Sequence, residues 1–249
     1  MASVLHINVN ETSYKDATAQ IRAWAQAGEK RYVCIANVHM LMEAYDSRRF
    51  RIILNDADLV TPDGMPLVWM MRARGRSNQQ RVYGPTLMLY VLEQASQKNI
   101  PVGFYGGKPC VLKKLVEHMQ IKYENLKVVF FHSPPYRVMD PEEDAEVVRQ
   151  INQSGAKILF VGLGCPKQEI WMAEHRDIVN SVMIGVGAAF DFHAGVKPQA
   201  PSLLQVFGLE WLFRLSTEPR RLWKRYLYYN PRFILLAVAD LLGWLKKGD

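Results

Sequence analysis

The sequence predicts an α/β fold: a mostly parallel sheet with helices on both faces, followed by a helical, basic carboxyl-terminal segment. Three observations predict it. Short β-branched runs alternate with longer stretches of helical periodicity over most of the chain. Glycines and polar residues cluster just past several of those runs. The alternation then stops near Gly195, where Pro198 and Pro201 introduce a stretch of different composition. Strands alternating with helices are the pattern of a Rossmann-like sheet. The expected division is a Rossmann-like domain over residues 1–195 and a helical appendage over residues 196–249.

Taken in order, Val4–Val9 reads as a strand leading into a helix from about Thr12 to Ala27. Tyr32–Ala36 leads into a helix after Asn37, and Asp58–Thr61 into one after Gly64, with a further helix beginning near Gly84. Val102–Tyr105 precedes a helix from Pro109 to about Tyr123. Val128–Phe131 precedes the helix after Pro141, whose first turn holds Glu142, Glu143 and Asp144, as the helix dipole prefers. Ile158–Val161 precedes a helix from Pro166, and Val182–Val186 closes the series. No internal repeat or low-complexity segment interrupts it.

The charge is unevenly spread. Of the formal +7, residues 196–249 supply +5, from nine basic residues against four acidic ones. They include Lys197, Arg214, Arg220, Arg221, Lys224, Arg225, Arg232, Lys246 and Lys247, interleaved with tryptophan, leucine and phenylalanine. A segment both apolar and cationic suits an anionic lipid surface or a lipid phosphate better than nucleic acid. The most apolar stretch, Phe233 to Leu245, has thirteen residues and contains Asp240. A spanning helix needs roughly 20, so a peripheral seat is expected. Off the membrane such a tail would need cover, which makes self-association expected. Cys34, Cys110 and Cys165 are odd in number and lack a C-x-x-C pair, which fits a reducing compartment. The first residues do not read as a secretory signal.

In a sheet of this type, ligands bind beyond the carboxyl ends of the strands. Those positions hold Asn37, Pro62-Asp63-Gly64, Gly106-Gly107, Ser133 to Tyr136, Gly162 to Glu169 (with Gly164 and Gln168) and Gly185 to Asp191. Gly162-Leu-Gly164-Cys-Pro-Lys167 and Gly185-Val-Gly187-Ala-Ala-Phe190 both miss the third glycine of the dinucleotide fingerprint. Short glycine turns opening helices still hold a diphosphate through backbone N–H groups; they also serve simply as tight turns. Asp63 has two readings: an N-cap for the next helix, or a carboxylate that takes a proton from an attacking hydroxyl. Asp56-Ala-Asp58 has the D-x-D form that binds Mg²⁺ or Mn²⁺ in many transferases, but it opens a strand rather than ending one. The histidines are scattered, and no zinc, serine-hydrolase or P-loop pattern is present.

Several of these pieces recur together, and in the same order, in one group of proteins. The sequence resembles the WecG/TagA/CpsF family of bacterial glycosyltransferases. The resemblance is carried by Asn37, Pro62-Asp63-Gly64, Gly106-Gly107, Gly162 to Glu169, Gly185 to Gly195, Ala200-Pro201 and Gly208 to Arg221, where Gly208-Leu-Glu-Trp-Leu-Phe-Arg-Leu opens the last piece. It implies an inverting transfer of a sugar from a UDP-sugar to an undecaprenyl diphosphate-linked saccharide, at the inner face of the bacterial membrane, in surface-polysaccharide synthesis. It implies Asp63 as general base, and Asn37 and Gln168 as contacts to the nucleotide-sugar. With them go the strand-end residues Gly64, Gly106, Gly107, Tyr136, Gly162, Gly164, Glu169 and Asp191. It implies Arg214, Arg221 and Arg225 against lipid diphosphate, with no bound metal or other cofactor. Some members carry T-x-N where this chain has Ile35-Ala36-Asn37; the lost hydroxyl removes a sugar-phosphate contact and points to a different donor sugar. Pro219 separates Arg214 from Arg221 and Arg225, so the arginines divide between two helices. A nucleotide-dependent oxidoreductase and a non-catalytic membrane adaptor are the other classes such a chain could belong to.

Overall fold

The structure is a computed structural model that describes residues 1–244; Lys246 and Lys247, counted above in the basic tail, lie outside the described residues. A hairpin, β1 (Ala2–Val4) and β2 (Ile7–Val9), comes first, then α1 (Tyr14–Ala27), β3 (Arg31–Ala36), α2 (Val38–Asp46), α3 (Arg48–Asn55), β4 (Leu59–Pro62), α4 (Met65–Ala73) and α5 (Gly84–Gln97). The chain continues through β5 (Val102–Gly106), α6 (Pro109–Lys122), β6 (Val128–His132), α7 (Pro141–Ser154), β7 (Ile158–Gly162), α8 (Lys167–Glu174), β8 (Val182–Gly185) and α9 (Ala189–His193). Three helices follow: α10 (Ser202–Val206), α11 (Glu210–Thr217) and α12 (Pro219–Leu241).

Among the described residues, six strands form one parallel sheet in the order β4-β3-β8-β7-β5-β6. The strands are apolar throughout because both faces are covered. In β3, Val33 and Ile35 point into the core beneath α1, α5, α6 and α9, whereas Tyr32, Cys34 and Ala36 point into the core beneath α2, α3, α4, α8 and α12. In β7, Ile158 and Phe160 divide from Leu159 and Val161 in the same way, as the period of two requires. Connections β3→β4 and β5→β6 run to opposite edges, and β7 and β8 return to fill the middle. The carboxyl ends of β3, β8, β7 and β5 therefore lie side by side, and they floor the cavity described below.

The run Val4–Val9, expected as one strand, is instead a hairpin with Val4 opposite Ile7. Leu5 and His6 form its two-residue turn at φ 48° and 67°, the left-handed pair that a tight hairpin uses. Leu5 is fully buried, and its N–H donates to Asp240 Oδ2 at 2.9 Å. Asp240, the charge inside the apolar run of the tail, also pairs with Arg74 at 2.7 Å. The far end of α12 is thus tied to both the hairpin and α4. Phe233 and Ala237 of α12 are buried in the same core as Met70 and Met71 of α4. Pro219 stands in the first turn of α12, leaving Arg214 on α11 and Arg221 and Arg225 on α12, as expected.

Asp240→Ala orphans the Leu5 N–H and leaves Arg74 half-buried without its partner. It should cost about 2 kcal/mol in urea unfolding, with the loss appearing as a lower midpoint at unchanged m.

Candidate functional site

A polar cavity of about 890 Å³ opens over the carboxyl ends of the central strands. Asn37, Gly107, Tyr136, Gly162, Gly164, Gln168, Asp191, Arg214, Arg221 and Arg225 all stand on its wall with Asp63. Three other candidates do not. Gly106 lies behind the wall, Glu169 is buried beneath it, and Gly64 lines a neighbouring groove.

The glycines have steric reasons. A Cβ on Gly106 would sit 2.6 Å from the Gly162 backbone, and one on Gly162 would sit 2.6 Å from the Phe190 ring. Three of the glycine N–H groups at these turns are already engaged: Gly107 N–H donates to Gly162 O at 3.1 Å, Gly164 N–H to Gln168 Oε1 at 3.2 Å and Gly187 N–H to Val161 O at 3.4 Å. Charged side chains also face the cavity. Six basic residues line it (Lys108, Lys197, Arg214, Arg220, Arg221, Arg225) against four acids (Asp63, Asp191, Glu210, Glu218).

Asp63 follows the last residue of β4 and precedes Gly64, which occupies the N-cap position of α4, and no side chain caps that helix. The N-cap reading of Asp63 therefore fails. Its carboxylate faces Arg81 instead: Arg81 Nε and Nη2 donate to Asp63 Oδ1 at 3.0 and 2.8 Å. Arg81 Nη2 also donates to Glu210 Oε2 at 2.6 Å. No side chain donates to Asp63 Oδ2 among the described residues; the backbone N–H of Gly84, beside that oxygen, also favours the ionised carboxylate. Burial raises the pKa of Asp63, Arg81 lowers it and Glu210 raises it again, with a net upward shift. Sequence reading missed both Arg81 and Glu210. Arg81 sits in a loop with no motif of its own, and Glu210 lay inside a motif noted for its aromatics and arginines.

Asn37 caps α2, its Oδ1 accepting the Met40 N–H at 3.1 Å, and it lines both the cavity and the groove. Ile35, the residue in place of a hydroxyl, packs against Gly84 on the cavity wall. Asp191 pairs with Lys197 at 2.8 Å, and Lys197 also meets Glu218 at 3.1 Å. Arg221 is engaged by Glu218. Arg214 and Arg225 differ. Among the described residues neither has a carboxylate partner, and Arg225 Nε is buried with no hydrogen bond. Burial and the neighbouring Arg214 lower the Arg225 pKa.

The groove that Gly64 lines runs between α4 and α12, with a volume of about 620 Å³. Asn37, Asp63, Glu210, Arg214 and Arg225 belong to both spaces, so the groove opens directly from the polar cavity. Beyond that junction its walls are apolar: Met65, Trp69, Met70 and Ala73 on one side, Phe233, Ile234, Ala237, Val238 and Leu241 on the other. His39 lies at the junction, and burial with Arg225 and Arg214 pushes its pKa down to about 3. Its ring is therefore neutral, and its 3.2 Å contact with Glu43 is not an ion pair. Phe207 and Trp211 on the groove wall are exposed, and so are Leu203, Trp223, Leu235 and Trp244 elsewhere in the tail.

Asp56-Ala57-Asp58 lies at the amino end of β4, away from the cavity. Asp58 accepts from Arg31 at 2.8 Å and from Arg176 at 2.7 Å, so it joins β3, β4 and the segment after α8.

The doubly covered parallel sheet, with a cationic cavity at its strand ends leading into an apolar groove, defines a Rossmann-like α/β protein whose site joins a charged space to an apolar one. Comparison with known proteins gives the family. The sequence model of the glycosyl transferase WecG/TagA/CpsF family matches residues 2–247. The chain is also 32% identical, over 197 residues, to an N-acetylglucosaminyldiphosphoundecaprenol N-acetyl-beta-D-mannosaminyltransferase from Bacillus spizizenii, covering 79% of this chain and 74% of that protein. The chain belongs to the WecG/TagA/CpsF family and is a glycosyl transferase.

Glu169, under the cavity floor, is fully buried. Its Oε1 accepts from Gln168 Nε2 at 2.6 Å and its Oε2 has no partner. Burial pushes its pKa up from 4.5 to about 7. The folded state thus binds the extra proton, and this contribution is complete below the unfolded pKa and lost as pH rises through the folded one. Between about pH 5 and about pH 9 the protein should lose on the order of 2–3 kcal/mol from this group. Glu169→Gln, which resembles the protonated form, should flatten that loss in chemical denaturation across the same range.

Proposed function

We propose that this protein transfers a sugar from a UDP-sugar, with inversion, to a saccharide carried on a polyprenyl diphosphate. The work would be done at the inner face of the cytoplasmic membrane, during synthesis of a cell-surface polysaccharide. The observation that carries the reading is the junction at Asp63, where a cationic cavity sized for a nucleotide-sugar continues into an apolar groove past two guanidinium groups without carboxylate partners. A nucleotide-sugar suits the first space and a polyprenyl chain the second. A diphosphate between sugar and lipid meets Arg214 and Arg225 at the boundary. The Bacillus relative, whose name puts its acceptor sugar on diphosphoundecaprenol, supports the same acceptor class here.

Asp63 Oδ2 takes the proton of the acceptor hydroxyl as that oxygen attacks the anomeric carbon from the face opposite the UDP. One displacement inverts that centre. Arg81 holds Oδ1 and so fixes the direction of the free oxygen. The departing UDP carries growing negative charge on its diphosphate, which Lys108, Arg220 and the other cations of the cavity wall stabilise more as the bond breaks than before. Charge neutralisation by these side chains asks for no resident metal. The exposed apolar residues of α10, α11 and α12 seat at the bilayer surface, with Arg220 and Lys224 toward anionic headgroups.

The test is a panel of UDP-sugars, beginning with UDP-N-acetylmannosamine, assayed with a polyprenyl diphosphate-linked N-acetylglucosamine for UDP release and for the anomeric configuration of the product. One donor should release UDP in step with an inverted product; no UDP from any donor, or a retained anomer, contradicts the proposal. Asp63→Asn should lower kcat at least about 10³-fold while UDP-sugar binding by calorimetry persists. Arg225→Ala should raise the acceptor KM about tenfold or more with donor binding unchanged.

A further inference from the structure

Arg81 is fixed before it meets either carboxylate. The loop that carries it is held by Arg72 Nε on Gln79 O at 2.8 Å, by Val82 N–H on Pro62 O at 2.8 Å and by Tyr83 N–H on the Tyr14 hydroxyl at 2.9 Å. The guanidinium lies over the Tyr83 ring, 4.2 Å from its centroid. Asp63 comes to it from the end of β4 and Glu210 from the first turn of α11, 147 residues later in the chain but on the same Nη2. With that nitrogen 2.8 Å from one carboxylate oxygen and 2.6 Å from the other, the two oxygens lie within about 5.4 Å of each other, close enough for like charges to act strongly.

One guanidinium facing one carboxylate is a neutral pair, and its carboxylate is a weak base. One guanidinium facing two carboxylates keeps a net negative charge, and proton uptake by either carboxylate becomes easier. We infer that Glu210 is a positioning residue for Asp63: it draws Arg81 partly away from the base, and it does so only while α11 is seated. This rests on the reading of Asp63 as the general base. The seat itself is tight. Gly208, at φ 70°, stands where a Cβ would come 3.0 Å from Met65 Cβ and 3.3 Å from the Trp69 ring, so the turn into α11 is pressed on the first turns of α4. Helix α11 also carries Arg214 and the exposed Trp211. The same element that meets lipid therefore sets the charge around the base, and displacing it would return Arg81 wholly to Asp63.

Tyr14 and Tyr83 beside Asp63 are raised by burial, His39 at the junction is held at about 3, and Arg81 is raised by the two carboxylates that face it. The charged neighbours Arg214 and Arg225 are the same in wild type and Glu210→Gln. A shift in the acid limb between the two proteins thus reports the effect of the Glu210 charge on Asp63.

The experiment measures kcat against pH for the full chain, wild type and Glu210→Gln, with UDP-sugar and a polyprenyl diphosphate-linked acceptor. Glutamine still accepts from Arg81 but brings no charge. The acid limb should move down by about one pH unit and the plateau kcat should fall about tenfold, with donor binding by calorimetry unchanged. Glu210→Asp should recover most of the wild-type limb, and Gly208→Ala, which lifts α11 without altering a charge, should shift the limb in the same direction as Glu210→Gln. An unmoved limb in Glu210→Gln, or activity lost only in proportion to thermal stability, overturns the inference. If Asp63→Asn keeps its turnover, the general-base reading fails instead, whatever Glu210→Gln does.

Discussion

A guanidinium set in an apolar wall without a carboxylate beside it is stable only in the company of an anion. Arg225 is such a group, and Arg214 stands next to it. Of the other described basic residues of the tail, Arg221 has Glu218, Lys197 has Asp191 and Glu218, and Arg232 has Asp46, while Arg220 and Lys224 are exposed to solvent. Arg214 and Arg225 lie where the polar cavity becomes the apolar groove. On the function proposed above, an anion with polar matter on one side and hydrocarbon on the other completes that place.

The sheet and the tail make this place together. Parallel strands deliver Asn37, Asp63 and Gln168 to one edge because both their faces are consumed by packing and only their ends are open. The tail delivers Glu210, Arg214 and Arg225 by lying along α2 and α4. It stays there because Asp240 ties its far end to Arg74 and to the hairpin turn, while Phe233 and Ala237 are buried in the sheet's own core. Arg81 joins the two halves through a single nitrogen. Stability and function are coupled through the same helix.

Much of this was legible in the residues. Strand-helix alternation predicts the parallel sheet because strands buried on both faces must be short apolar runs. The break at Pro219 predicts that Arg214 belongs to a different helix from Arg221 and Arg225. The hairpin was hidden because its turn is Leu5-His6, with no glycine, asparagine or aspartate to mark it. A contact with Asp240, 235 residues away, holds that turn instead. The Arg81–Glu210 link was hidden for a related reason, since no local pattern connects residues 129 apart in sequence. The shape of the glycine turns was anticipated, but not that neighbouring carbonyls and the Gln168 side chain take the N–H groups of Gly107, Gly164 and Gly187. The groove needs two helices, α4 and α12, whose apolar faces each read as ordinary core until they are brought side by side.

The central claim is that cavity and groove are one site divided by Arg214 and Arg225. It is tested most directly by photo-crosslinking the full chain, in vesicles, with a polyprenyl diphosphate carrying a photoreactive group on its first isoprenoid units. The account predicts labelling of groove residues on α4 and α12, around Trp69 and Ile234, that excess unlabelled polyprenyl diphosphate competes away. Labelling spread over the exposed faces of α10 and α12, with the groove untouched, would contradict it.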